Sequence, residues 1–464
     1  MKLLRTVYAL LLPLATLVLA PCVGAIAPPP PADVAIVNAR VIPMNVPGVL
    51  EGRTVIVRNG RIAAIGASTD LEPGPDDRII DAAGRYLIPG LAEMHAHVPA
   101  PQEPHQPPGY VEDVLFLWVA HGVTLARGML GHPSHLELRD RLQRHEILGP
   151  RLITSGPSFS GQSVNAIEPA RARVHAQSEQ GYDFLKIHPG LTRRQYDAVA
   201  EAADAAGITF AGHVPVDVGL ARSLAAGQAT IDHLDGYLHA LVPHLEAHPA
   251  AAGSFFGIAL VPHVDRDRIA EVVGETRAAG ASVVPTETLM ENFAAAFGDL
   301  EALDARPEND WLPPRLRAAY LQRLEAAGAM DVDADGFLAL RKELIGALHR
   351  GGVPILLGAD SPQIMNVPGF ATHRELESMV SAGLDPFSAL ATGTTAPATF
   401  FDAEGRHGSI VPGADADLVL LRDNPLDDIR HTRSIDGVMV RGRWLDRALL
   451  DAGMARIRES YATP

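Results

Sequence analysis

Eight short apolar, β-branched runs recur along the middle of the chain, each followed by a stretch of helix-forming residues or a longer insertion. They are Leu87–Met94, Val123–Arg127, Arg151–Ser155, Phe184–Ile187, Ile208–Gly212, Thr230–His233, Ser282–Pro285 and Pro354–Gly358. Strand-like runs alternating with helical ones demand a parallel sheet with helices outside it, and eight is the number that closes a (β/α)8 barrel. Between the fourth and fifth runs the helix signals are explicit: Thr192 can cap a helix that runs to Ala206 and stops at Gly207. The stretch from Thr286 to Arg350 is longer than one crossover needs; helical runs at Pro314–Ala327 and Asp335–His349 predict a lid or wall near the barrel mouth.

The two ends of the chain read differently. Val34–Val41 and Thr54–Ile65 alternate apolar and polar residues around an Asn59-Gly60 turn, and Ala416–Leu421 and Ile435–Trp444 repeat that character around Arg441-Gly442. Both ends are expected to build one small β-sandwich from residues 26–88 and 403–464, with the barrel at 89–402. A length of 464 residues accommodates a barrel of roughly 250 residues or more plus that second domain.

The first residues form an export pattern. Met1-Lys2-Leu3-Leu4-Arg5 is charged, an apolar run follows, and Val23-Gly24-Ala25 supplies small residues for a cut near Ala25. A periplasmic or secreted protein is expected, with an uncleaved anchor or a lipid on Cys22 as alternatives and no stable membrane insertion once the leader is removed. Cys22 is the only cysteine, so a mature chain would hold no disulfide. A net charge of −16 and the absence of a long Lys/Arg run argue against nucleic acid as a partner. The oligomeric state stays open, a homo-oligomer included.

The reactive residue types gather at the carboxyl ends of the predicted strands, where barrel enzymes place their chemistry. His95 and His97 are two residues apart, so an extended strand points both imidazoles the same way, toward one metal ion. His213 and His233 are 20 residues apart, one strand-helix step, and neighbouring strands would present them side by side. Lys186 lies in the apolar run Phe184–Ile187, where an ammonium is costly. It either snorkels to solvent or, deprotonated by burial, reacts with carbon dioxide to give a carbamate whose two oxygens bridge two ions. His188 shares its face, as a pocket residue or a structural one. Asp360 follows the last strand, as a helix cap or as a metal ligand that accepts a proton.

Together the His-x-His pair, lysine, two histidines and aspartate, on strands one, four, five, six and eight, resemble the amidohydrolase superfamily with a binuclear centre. Ile88-Pro89-Gly90-Leu91, Gly408-Ser409-Ile410 and Gly413-Ala414-Asp415-Ala416-Asp417-Leu418-Val419 look like its junctions between sandwich and barrel. Gly149-Pro150-Arg151, Val284-Pro285-Thr286, Arg374-Glu375-Leu376 and Asn424-Pro425-Leu426-Asp427-Asp428-Ile429 resemble the imidazolonepropionase-like and prolidase-like branch. Glu93 stands where aspartate often precedes the histidine pair, and Ser160-Gly161-Gln162 replaces a Gly-Gly-His.

The resemblance implies a barrel with a β-sandwich and two zinc ions, one held by His95, His97 and Asp360 and the other by His213 and His233, bridged by carboxylated Lys186. It implies a hydrolase acting on a small-molecule amide, an N-acyl amino acid or a dipeptide such as Xaa-Pro, with Asp360 as the proton acceptor. A lactonase, cyclic amidase or phosphotriesterase on the same ions, or a secreted binding protein without catalysis, are the competing functions. For substrate contact the expected residues are Tyr237, Arg127, His132 and His188, with packing for Tyr237 and a structural ion pair for Arg127 as the plainer readings.

Overall fold

In the computed structural model, residues 26–462 are described except 102, 329 and 330; the export segment and Cys22 lie outside them. Among the described residues no helix is long and apolar enough to cross a membrane.

Both chain ends form one eight-stranded sheet. Its order is Arg443–Asp446, Ile435–Val440, Leu418–Leu421, Tyr86–Pro89, Val34–Val41, Leu50–Arg58 and Arg61–Ala67, with Arg78–Asp81 also beside Val34–Val41. The N-terminal and C-terminal strands join where Tyr86–Pro89 runs antiparallel to Leu418–Leu421. Val34, Ile36, Val55, Ile62, Leu418 and Trp444 pack into one apolar cluster although they come from opposite ends of the sheet, so the sheet curls over its own core as a small sandwich. The two turns read from the sequence meet: Asn59-Gly60 and Arg441-Gly442 all have positive φ, and a Cβ on Gly442 would fall 2.4 Å from the Cα of Gly60. Glycine is required there on both counts.

The first strand read from sequence, Leu87–Met94, is two strands. Tyr86–Pro89 belongs to the sandwich and Leu91–Ala96 to the barrel, divided at Gly90, whose amide donates to Asp417 O and where a side chain would collide with Thr124. Seven barrel strands follow in order: Leu91–Ala96, Val123–Gly128, Arg151–Thr154, Leu185–Ile187, Phe210–Gly212, Thr230–Asp232 and Ser282–Val284. All pair in parallel. Bridges from Ser155 to Phe184, from Val283 to Ile355 and from Ala96 to Ser361 complete the ring, with residues 354–361 as the eighth member. The fold is thus a TIM barrel with a β-sandwich built from both chain ends. Inside the barrel, Ala92, Met94, Leu125, Val284 and Leu356 make an apolar layer with Phe400 against it.

The helix Arg193–Ala206 starts at Thr192 with a reciprocal capping box to Gln195 and ends at Gly207 with φ 63°. Helices Pro314–Ala327 and Ala334–Arg350 occupy the long insertion. The final helix, Arg447–Ala462, leaves the sandwich: Leu450, Ile457 and Tyr461 join the barrel's apolar core, and Arg456 and Tyr461 both bind Asp113. The segment 403–464 therefore serves both domains.

Candidate metal centre

Four imidazoles, one ammonium and one carboxylate converge at the carboxyl ends of the strands. Ring centroids lie 5.5 Å apart for His95 and His97, 4.4 Å for His95 and His233, and 4.4 Å for His213 and His233. Lys186 Nζ is 3.4 Å from His95 Nε2, and Asp360 Oδ1 is 3.0 Å from His97 Nε2 and 3.9 Å from His95 Nε2. Lys186 does not snorkel; its side chain is wholly buried. Gly212, with φ 121°, makes room for it, because a Cβ there would meet Lys186 Cδ at 2.8 Å. His233 and Asp360 hold left-handed backbone at φ 62° and 59°, a conformation that costs on the order of 1–3 kcal/mol per residue and collects at functional sites.

Three of the four imidazoles have the outer nitrogen, Nδ1, in a hydrogen bond, and the fourth, that of His95, has an acid beside it without one. His213 Nδ1 meets Asp235 at 2.7 Å, His233 Nδ1 meets Thr286 Oγ1 at 2.8 Å, His97 Nδ1 contacts Gln363, and His95 Nδ1 stands 3.0 Å from Asp232. Asp235 sets the tautomer of His213, and the other partners set ring direction. Burial holds all four histidines well below the ordinary imidazole range, so they are neutral at neutral pH. Burial likewise pushes the Lys186 ammonium down, opposed by Asp232 and Asp360, and pushes the Asp360 carboxyl up, opposed by Lys186.

Four atoms at this cluster lack what burial demands, two of them being His95 Nδ1 and Asp232 Oδ2, which stand 3.0 Å apart without the alignment of a hydrogen bond. The other two, His233 Nε2 and Asp360 Oδ1, are buried without a hydrogen-bond partner, the close approach of His97 to Asp360 being misaligned for one. Buried polar atoms are nearly always satisfied, so an orphan of each kind at one point wants a cation. Ligand atoms of His95, His233 and Asp360 lie within 4.8 Å of one another, and two neutral imidazoles with a carboxylate suit a borderline divalent ion. The residues present fit a metal, with His97, His213 and Lys186 at its edge.

Beneath the centre runs a buried relay that sequence reasoning missed. Arg127 Nη1 donates to Thr230 Oγ1 at 3.3 Å, and Thr230 Oγ1 donates to Asp232 Oδ1 at 2.6 Å. Asp232 in turn faces His95 and, at 3.8 Å, Lys186. Glu93, noted in the sequence only as a departure, accepts from the Ala359 amide at 2.7 Å and from Thr372 at 2.8 Å, tying the first strand to the residue before Asp360. Burial raises its carboxyl to about 7. The available signal was an acidic residue inside or beside each apolar strand end; the partners across the barrel had none.

A cavity of about 510 Å³ opens above the centre, and His97, His188, His213 and Asp360 reach its wall. Of the four substrate contacts expected from sequence, His188 lies there. Tyr237 does not: it is fully buried and its hydroxyl pairs with Thr276 Oγ1 at 2.9 Å, a packing role. Arg127 also stays outside the cavity, because its guanidinium is stacked between Phe184 and Phe400, 4.5 and 5.1 Å from their centroids, below the histidine cluster. Among the described residues its guanidinium makes no ion pair and donates to Met94 O and Thr230 Oγ1. His132 is spent on its own turn, with Nδ1 on Ser134 at 2.8 Å, and does not line the cavity.

A sequence model described as the amidohydrolase family matches residues 86–445. The adenine deaminase of Ruegeria sp. (strain TM1040) is 24% identical over 422 residues, 89% of this chain and 57% of that protein. Adenine deaminase 3 of Rhizobium meliloti (strain 1021) is 28% identical over 222 residues, 44% of this chain and 36% of that one, so the chain spans under two thirds of these curated relatives. Among solved structures, a bottromycin amidohydrolase superposes with a TM-score of 0.70 at 22% identity, covering 93% of this chain and 91% of that one.

Proposed function

The chain belongs to the amidohydrolase family, and on that premise we propose that it hydrolyses an amide-type carbon–nitrogen bond of a small molecule, an N-acyl amino acid or a dipeptide. The observation that carries this reading is the pair of partnerless buried atoms, His233 Nε2 and Asp360 Oδ1, gathered with His95 under an open cavity. His95, His97 and Asp360 would hold one zinc ion and His213 and His233 a second, with carboxylated Lys186 between them. When bound, the ions lower the pKa of water toward about 7 and polarise a carbonyl oxygen.

The chain's own residues do the rest. Asp360 takes a proton from the attacking water on its carboxylate and returns it to the leaving nitrogen. Asp235 accepts from His213 Nδ1 and holds that imidazole in one tautomer, while Thr286 and Gln363 fix the directions of His233 and His97. The fully buried Arg127, Thr230 and Asp232 relay supports the floor. The proposed place of action is the periplasm or the exterior, on the strength of the charged and apolar N-terminal segment alone.

The test is metal quantification on purified protein together with a panel of N-acyl amino acids, dipeptides including Xaa-Pro, adenine, lactones and a phosphotriester. About two ions per chain and amide turnover are expected. Protein that spares amides but cleaves the phosphotriester, a lactone or adenine's amino group would overturn the choice of bond, and protein with no ion would overturn the centre.

A further inference from the structure

We propose that Arg323 is the anion anchor of the cavity, and that the preferred substrates are amides carrying a free carboxylate; this rests on the amidase reading above. Arg323 is the one lysine or arginine among the residues that line the cavity, in a chain whose formal charge is −16. It is exposed and makes no hydrogen bond or ion pair with the described residues, whereas Arg317 on the same helix is spent on Asp304 at 2.6 Å. Of the cavity's carboxylates, Asp235 is tied to His213, Asp360 belongs to the centre, and Asp217 is exposed in the loop after the fifth barrel strand. The wall thus has one uncommitted cation.

Its place is built, not incidental. Helix Pro314–Ala327 carries Tyr320 and Arg323 three residues apart, on one face. The Tyr320 hydroxyl donates to Pro362 O at 3.2 Å, two residues beyond Asp360, so that face is fixed against the loop that follows the proton acceptor. Leu324, fully buried, anchors the helix from behind. Apolar wall is supplied by Phe255, Phe256, Leu289 and Ile364, with the Phe256 ring 5.4 Å from that of His233. A ligand with an apolar body near the centre and a carboxylate at the mouth matches this distribution, and guanidinium binds carboxylate through two parallel donors.

The experiment uses the metal-loaded protein and two isosteric probes, N-acetylphenylalanine and N-acetylphenylalaninol, with release of acetate as the readout. The wild type is expected to favour the acid. Arg323→Gln is expected to raise KM for the acid about 10- to 100-fold, as loss of a charged hydrogen bond does, while kcat and the kinetics of the alcohol stay within about twofold. Arg323→Lys should recover part of the loss. A wild type that takes the alcohol as readily as the acid, or a glutamine variant that keeps the preference, overturns the anchor. If neither probe is cleaved, the amidase reading fails separately, and calorimetry decides the anchor: tighter binding of the acid by wild type than by Arg323→Gln supports it, and equal or absent binding refutes it.

Discussion

Replacing Arg341 by methionine removes the cation paired with the wholly buried Glu287. Arg341 and Glu287 are both 0% exposed and meet at 2.9 Å, while the other two guanidinium nitrogens donate to His233 O at 2.8 Å and Pro285 O at 2.9 Å. The side chain therefore clamps the ends of the sixth and seventh barrel strands, next to His233 and just before Thr286, which orients that histidine. Methionine fills similar volume but leaves Glu287 charged and unpaired, a loss of about 3–5 kcal/mol. Glu287→Gln in the same chain should return much of it, since the uncompensated charge is then gone.

The sign with pH follows from Glu287. Burial already pushes its carboxyl up and Arg341 opposes this, so without Arg341 the folded-state pKa rises further above the unfolded value. In that interval the folded variant binds the extra proton, so its stability falls as pH rises through it. Urea unfolding at pH 5 and pH 8 measures both effects. The deficit should be larger at pH 8, and the double variant should be more stable than the single one. A single variant within about 1 kcal/mol of wild type, or strictly additive effects, refutes the clamp.

Three further outcomes are expected. Lys186→Ala should lose metal, and a short carboxylic acid added to the medium should restore it; unchanged metal content would count against a bridging carbamate. Asp235→Asn should weaken metal binding about 10- to 100-fold in a competition titration with a chelator, because His213 loses the anion that orients it. His135, 1% exposed, accepts from the His132 amide at 3.2 Å and faces Pro99 O at 3.4 Å, and burial pushes its pKa down to about 4. An unfolded histidine titrates near about 6.5, so stability is full above that value and is lost as pH falls toward 4, by up to about 3 kcal/mol. His135→Gln should shrink that loss in thermal unfolding between pH 7 and pH 4.5, and an unaltered acid limb would contradict the assignment.

That six residues would come together was legible in the chain, because the barrel brings the carboxyl ends of its strands to one place. His95, His97, Lys186, His213, His233 and Asp360 are polar groups inside or just after apolar strands, a combination with few structural uses. The substrate side was not legible. Arg127 looked like an anion reader because it ends a strand, yet it points into the apolar barrel floor; Arg323 carries no local signal, and only the fold brings it to the cavity wall. Glu93 carried no sign that its oxygens would hold Ala359 and Thr372, 266 and 279 residues away.

By itself the sequence determined the strand-helix rhythm, the tight turns at Gly60 and Gly442, and the caps at Thr192 and Gly207, since each depends on local backbone preference or on the chemistry of one side chain. The tertiary structure alone decided the break at Gly90, the docking of the last helix on the barrel, the Nδ1 partners of the histidines and the cation at the cavity mouth. Those depend on which surfaces meet once eight strands close, and closure brings together groups whose separation along the chain leaves no pattern to read.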